Sequence, residues 1–215
     1  RVTAYQSSSG HTWVSWGELG LEVYSPSGAK LGFWDNLEFP IREIIEYDGL
    51  VLFATEDGVE RFNETTFSWE STWTPGNGLP NNVGDWVGEL WTDGQHLLVG
   101  TATFAWWGGF QRGVIGHLDG STGAWSTVET GQNGIPNGYP LSMSQCGSYV
   151  YIGLLNNNGG IVSMDLNSSS VVGSFTTSVL SNGRVAAVAC DSVATLYVGY
   201  DLSLIHISEP TRRTT

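Results

Sequence analysis

A unit of four short strands recurs along this chain, and that recurrence constrains the fold more than any single residue does. The first copy reads Val2-Thr3-Ala4-Tyr5, a polar turn, then Thr12-Trp13-Val14-Ser15-Trp16. A Gly-containing turn leads to Leu21-Glu22-Val23-Tyr24-Ser25-Pro26-Ser27-Gly28, and Lys30-Leu31-Gly32-Phe33-Trp34 closes the unit. The pattern returns from 41 to about 73, from 83 to about 128 and from 141 to about 176, and a further copy starts at Val185. A period of roughly 40–50 residues with four short strands is the signature of propeller blades. The fold expected is all-β: a β-propeller fragment of four four-stranded blades plus a partial fifth. The propeller spans 1–201, with blades at about 1–35, 40–74, 82–128, 137–176 and, in part, 184–201.

Each copy has the same internal logic. The first strands are 2–5, 41–47, 86–91, 141–145 and 185–189. Tight turns follow at Asp48-Gly49, Asp93-Gly94, Cys146-Gly147 and Asp191-Ser192; Asp-Gly tolerates positive φ and suits short hairpins. The second strands, 50–54, 96–100, 149–153 and 196–199, are the most apolar. A strand covered on both faces reads as such a run. A Gly turn leads to the third strand, and Trp34, Trp69, Trp125 and Phe175 mark the fourth. Most of the ten Trp are expected to pack between blades.

Composition narrows function by exclusion. The net charge is −13 and Lys30 is the single lysine. Such a chain repels phosphate backbones, so nucleic acid is an unfavourable partner. Helix-period stripes and long apolar stretches are absent, so no membrane span is expected. Ser, Thr, Asn and Gly dominate the polar surface, a composition common in secreted β-proteins. Cys146 and Cys190 end the first strands of neighbouring blades. They are either a disulfide or two partly buried thiols packing as small hydrophobes.

The linkers between blades carry a resemblance. Asn77-Gly78-Leu79-Pro80-Asn81-Asn82-Val83 precedes the third blade and Asn133-Gly134-Ile135-Pro136-Asn137-Gly138 the fourth. A degenerate copy, Asn36-Leu37-Glu38-Phe39-Pro40, precedes the second, and Asn182-Gly183 the fifth. With the Asp-Gly turns and the strand ending Val99-Gly100-Thr101, the chain resembles the two-component regulator propeller repeat. That repeat runs Gly-Leu-Pro, strand, Asp-x-x-Gly, a Trp-Ile-Gly-Thr-like strand, Gly-Gly-Leu and a Tyr-Asp-like turn. The chain departs from it: Val-Gly-Thr occurs once, and the Tyr-Asp element is mostly replaced. The resemblance implies a seven-bladed-type module from the extracytoplasmic sensory region of a hybrid histidine kinase, a class often responding to oligosaccharides. The repeat also occurs in secreted proteins without a kinase, so fold alone does not imply signalling.

Residues 202–212 read Leu-Ser-Leu-Ile-His-Ile-Ser-Glu-Pro-Thr-Arg. This string resembles the in-frame translation of a transposase adapter used in preparing sequencing libraries. On that reading 202–215 is no domain, and the chain is a fragment of environmental or draft sequence, open at both ends, whose partners include the missing blades of its own propeller. The other reading is a natural polar tail.

Candidate binding residues sit on the loop face. The third blade carries an insertion between its second and third strands, Ala102-Thr103-Phe104-Ala105-Trp106-Trp107-Gly108-Gly109-Phe110-Gln111-Arg112. Apolar rings leaving a core are costly unless they meet something. Phe104, Trp106 and Trp107 are therefore expected either to form a stacking platform for a sugar or peptide, or to fold over a neighbouring blade. Asn77, Asn81 and Asn133 share that face; they either bond a polar ligand or close turns.

Chemistry-bearing groups are sparse. His11, His96 and His117 are read as coming from different blades, without metal-ligand spacing. Glu43 and the Glu56-Asp57 pair are the nearest approach to paired carboxylates. Asn63-Glu64-Thr65 and Asn167-Ser168-Ser169 fit the glycosylation acceptor pattern. No cofactor is expected. The chain thus reads as a non-enzymatic, exported (extracellular or periplasmic) recognition module for an oligosaccharide or protein ligand. The alternatives are a secreted adhesion or structural propeller, and a propeller lyase or hydrolase whose active site lies in missing blades.

Overall fold

A computed structural model describes residues 2–35, 40–105, 108–176, 178, 180 and 184–200. Trp106, Trp107, Asn182-Gly183, the 36–39 linker and the 201–215 tail lie outside the described residues.

The first antiparallel sheet is built from β1 (Thr3–Gln6), β2 (Thr12–Ser15), β3 (Leu21–Tyr24) and β4 (Lys30–Trp34). The second holds β5 (Glu43–Tyr47), β6 (Leu50–Thr55), β7 (Gly58–Asn63) and β8 (Ser68–Trp69). Next come two short strands, β9 (Thr74–Pro75) and β10 (Gly78–Leu79), paired in parallel. The third sheet holds β11 (Trp86–Thr92), β12 (His96–Phe104), β13 (Phe110–Asp119) and β14 (Ala124–Glu129). The fourth holds β15 (Tyr139–Cys146), β16 (Tyr149–Leu155), β17 (Gly160–Asp165) and β18 (Ser170–Phe175). A two-stranded sheet follows, β19 (Val185–Cys190) and β20 (Leu196–Tyr200).

Every four-stranded sheet is a meander in sequence order, the shape a blade requires. The first strands of successive blades approach one another, β1 with β5, β5 with β11, β11 with β15 and β15 with β19. They therefore form the inner edge of the arc. The β9–β10 pair is the departure from the sequence reading, which gave this linker turns only. It is tied to the second blade by reciprocal bonds between Val59 and Trp73.

The core is divided among the seams between blades. Trp13, Leu21 and Val23 of the first blade pack on Ile44, Phe53 and Phe62 of the second. Leu52 and Ala54 meet Val87, Leu97 and Val99 at the next seam. Leu98 and Ile115 meet Ile152, Val162 and Met164 at the third, and Ile161 meets Val185 and Val188 at the fourth. Leu97 and Leu98 are neighbours in β12, yet they serve opposite seams. Period-two alternation sends successive side chains to opposite faces, and a mid-blade strand is covered on both. Each such buried aliphatic side chain contributes about 1.5–3 kcal/mol.

Polar clasps reinforce the seams at the ends where the first strands finish. Glu46 accepts bonds from the amide and hydroxyl of Ser8, at 2.6 and 2.5 Å. Glu64 accepts from the Ser9 hydroxyl and the Trp13 indole, both at 2.6 Å. Burial pushes the Glu64 carboxyl up, but the hydrogen bonds from Ser9, Trp13 and Ser7 and the nearby His11 outweigh it and leave it below its ordinary value. Cys146 and Cys190 form a disulfide with their Cα atoms 5.4 Å apart, joining β15 to β19.

Candidate functional site

The opposite face is built by the linkers and the connections between second and third strands, which touch one another. Arg42 of the linker entering the second blade pairs with Glu56 of the β6–β7 turn, Nη2 to Oε1, at 2.5 Å. The Asn137 amide of the next linker donates to the Asn158 carbonyl of the β16–β17 turn at 3.1 Å.

The insertion in the third blade is an extension of its central hairpin. β12 and β13 run for 9 and 10 residues, against 6 each for β6 and β7. The extra length lifts Phe104 and Phe110 past the level of the other blades, and a register shift between Thr103 and Phe104 re-aims the end of β12. The Ala105 and Gly109 backbones close it, N to O at 2.7 Å.

At its base four rings meet. Trp86 opens β11 and Tyr139 opens β15, so both rise at the inner edge beside the extended hairpin. Trp86 packs edge-on against Phe104 and Tyr139, with centroids 5.5 and 5.3 Å apart. Phe104 also meets Tyr139 at 5.8 Å and Phe110 at 6.1 Å, and Phe110 meets Tyr139 at 5.6 Å. The Arg42 guanidinium lies 4.6 Å from the Trp86 ring centroid, in cation–π contact. All of these side chains are half-buried. The result is an aromatic floor shared by the third and fourth blades, with one cation from the second blade on it, held by a carboxylate.

The structure distributes the sequence candidates unevenly. Phe104 belongs to the floor; Trp106 and Trp107 lie outside the described residues. Asn77 donates its side-chain amide to the Thr72 carbonyl at 3.2 Å. Asn81 is exposed, its Oδ1 turned toward Gly76. Asn133 holds a left-handed turn with φ 51° and lines an outer cleft of about 340 Å³ beside Thr127, Gln132 and Val171. Phe104 and the three asparagines are thus not gathered into one pocket. Trp86, Phe110, Tyr139 and Arg42 escaped the sequence reading as site residues. The signal available was positional: each stands at the start of a strand or the end of a linker, in or beside the third or fourth blade near the long insertion.

One reading needs correction. His96 and His117 do not come from different blades; both belong to the third, on β12 and β13, with ring centroids 5.3 Å apart. Glu56 bonds Arg42 rather than another carboxylate. Among the described residues no three His, Cys, Asp or Glu side chains are grouped to hold a metal ion. No helix among them is long and apolar enough to cross a membrane.

No protein-family model and no curated protein matches the chain. Solved structures do. The extracellular domain of a putative hybrid two-component system from B. thetaiotaomicron superposes with a TM-score of 0.68 at 18% identity, over 93% of this chain and 27% of that one. The WD40 β-propeller domain of Doa1 gives 0.61 at 12% identity, over 90% of this chain and 58% of that one. U3-55K gives 0.63 at 10% identity, over 92% and 58%. The chain spans about a quarter of the first structure's length (27%) and under two thirds (58%) of the other two. At these identities the likeness establishes the fold: the chain is a β-propeller.

Proposed function

We propose that this chain is part of an exported, non-enzymatic recognition propeller, the sensory region of a larger two-component-type regulator, and that its loop face takes an oligosaccharide or a protein ligand. The observation that carries the reading is the floor of Trp86, Phe104, Phe110 and Tyr139 at the base of an insertion that adds Trp106 and Trp107. Flat rings offer large contact area at low entropy cost and stack on the apolar faces of sugars and side chains. The Arg42–Glu56 pair supplies a polar rim to such a platform. The likeness to the extracellular domain of a hybrid two-component system supports the location and the role.

The test is a screen of the purified chain against a neutral oligosaccharide panel and a peptide library, followed by titration calorimetry on the best binder. Trp106→Ala with Trp107→Ala is expected to raise Kd at least tenfold (about 1.4 kcal/mol) while the circular dichroism melt stays in place. A ligand whose affinity is untouched by that pair and by Arg42→Gln overturns the platform. Loss of folding in the Trp pair assigns those rings to the packed structure instead.

A further inference from the structure

The seam between the third and fourth blades holds a buried histidine pair that the recognition reading does not use. His117 is 1% exposed and His96 7%. Both point from the third blade toward the fourth, on the same face as Leu98, which sits opposite His117 in the β12–β13 register. His96 Nδ1 lies 3.0 Å from the Asp93 carboxylate, so this ring has a counter-ion within its own blade. His117 has none in contact. Its Nδ1 faces the hydroxyl of Ser169, from the β17–β18 turn of the fourth blade, at 2.8 Å, and Ser126 Oγ stands 3.5 Å away. Its Nε2 is buried with no hydrogen-bond partner among the described residues. Ser169 itself holds a left-handed φ of 53°, an uncommon conformation for a residue with a Cβ. The turn is thus shaped to deliver that hydroxyl across the seam.

We propose that His117 and Ser169 form a proton-sensitive latch that joins the third and fourth blades when His117 is neutral and releases them in acid. A neutral imidazole carries one N–H donor and one bare acceptor nitrogen, and the Ser169 hydroxyl serves the one at Nδ1. An imidazolium carries two N–H donors. With Nδ1–H donating to the Ser169 hydroxyl, the bare nitrogen of the neutral ring is Nε2, and protonation places there an N–H with no acceptor among the described residues. A buried charge so placed costs several kcal/mol in desolvation before any repulsion from His96 is added. The charged or titratable groups facing His117 are His96, Asp93 and Asp119. Asp93 is engaged by His96 and by the amides of Gln95 and His96. Asp119 is engaged by Ser121 and Thr122. From the fourth blade comes the uncharged Ser169.

The sign follows from linkage. Burial, then the coulombic effect of the neighbouring His96 ring, hold the His117 pKa below its ordinary 6.5. The unfolded or opened chain therefore takes up a proton before the closed seam does. The latch is complete above pH 6.5, and its contribution falls as pH drops below that value until the closed form itself protonates. The consequence reaches the other face. Trp86, Phe104 and Phe110 of the third blade contact Tyr139 of the fourth across this same seam. Loosening it would pull the aromatic floor apart, a coupling that rests on the recognition reading above.

The experiment is amide hydrogen exchange on β13, β14, β17 and β18 between pH 7.5 and 5.0, corrected for intrinsic rates, in the intact chain and in His117→Gln. In the parent, protection at this seam is expected to fall up to about tenfold per pH unit below 6.5, more than at the seam joining the first two blades. In His117→Gln, which keeps a neutral polar group opposite Ser169, the seam's excess loss should vanish. An unchanged pH dependence in the variant overturns the latch. NMR titration of the His117 ring in the parent decides independently of the variant's folding: a ring titrating below 6.5 agrees, and one titrating at or above 6.5 refutes it. Affinity for a ligand found in the screen should weaken in acid in the parent and not in the variant. A seam that opens with no change in affinity leaves the latch standing and refutes its link to the floor.

Discussion

Removing the Cys146–Cys190 disulfide should free the last two strands before it disturbs anything else. The bridged residues are 44 apart in sequence. The chain-entropy model for a closed loop of that size gives roughly 4 kcal/mol at 25 °C. What else holds β19 to β15 is modest. The Val188 and Cys190 amides donate to the Ser142 and Ser144 hydroxyls at 3.0 and 3.1 Å, and Ser142 donates back to the Val188 carbonyl at 3.4 Å. Such bonds are worth about 0.5–1.5 kcal/mol each, and among the described residues the apolar seam there centres on three buried side chains, Ile161, Val185 and Val188, with partly buried neighbours around them. The disulfide is therefore the largest single tie. Repeat architectures add stability neighbour by neighbour, so the loss should stay local. In the Cys146→Ser, Cys190→Ser double variant, amide exchange over 185–200 should accelerate about a hundredfold or more, allowing for a cross-link that delivers less than its full entropy. Exchange over β1–β8 should not move. Acceleration below tenfold over 185–200, or equal acceleration in the first two blades, would refute the reasoning.

Two further outcomes test the packing argument. Gly58 adopts φ +126° and a Cβ there would lie 2.2 Å from the Trp73 carbonyl, whereas Gly28 adopts φ +82° with nothing within 4 Å. Gly28→Ala should cost about 1–2 kcal/mol for the backbone alone, and Gly58→Ala clearly more in urea unfolding; equal costs would show that the second blade yields without strain. Trp13 is fully buried, stacks with Trp34 at 5.9 Å, meets Phe53 and Phe62 edge-on and bonds Glu64. Trp13→Ala should destabilise the seam between the first two blades by about 3–5 kcal/mol, and a loss under 1 kcal/mol by the same assay would contradict that placement.

The blade pattern was legible because it is local. The continuous apolar run of β12, Asp-Gly after β5 and β11, and a glycine ahead of each third strand are properties of a few adjacent residues, and backbone sterics and burial turn them directly into strand and turn. The linker strands β9 and β10 were not legible, because Thr74-Pro75 and Gly78-Leu79 carry too little pattern to outweigh the turn residues between them.

What the sequence alone determined is therefore the repeat, the meander within each blade, and the pair of buried faces on each central strand. Only the tertiary structure decided which side chains meet across the seams: Arg42 on Trp86, Phe104 with Tyr139, His117 with Ser169, Cys146 with Cys190. Those partners stand about 35 to 52 residues apart, the spacing of one blade from the next. Alternation tells each residue which face it leaves from. It carries no information on the tilt and height at which the next blade arrives, and that placement is set by the summed packing of the whole seam.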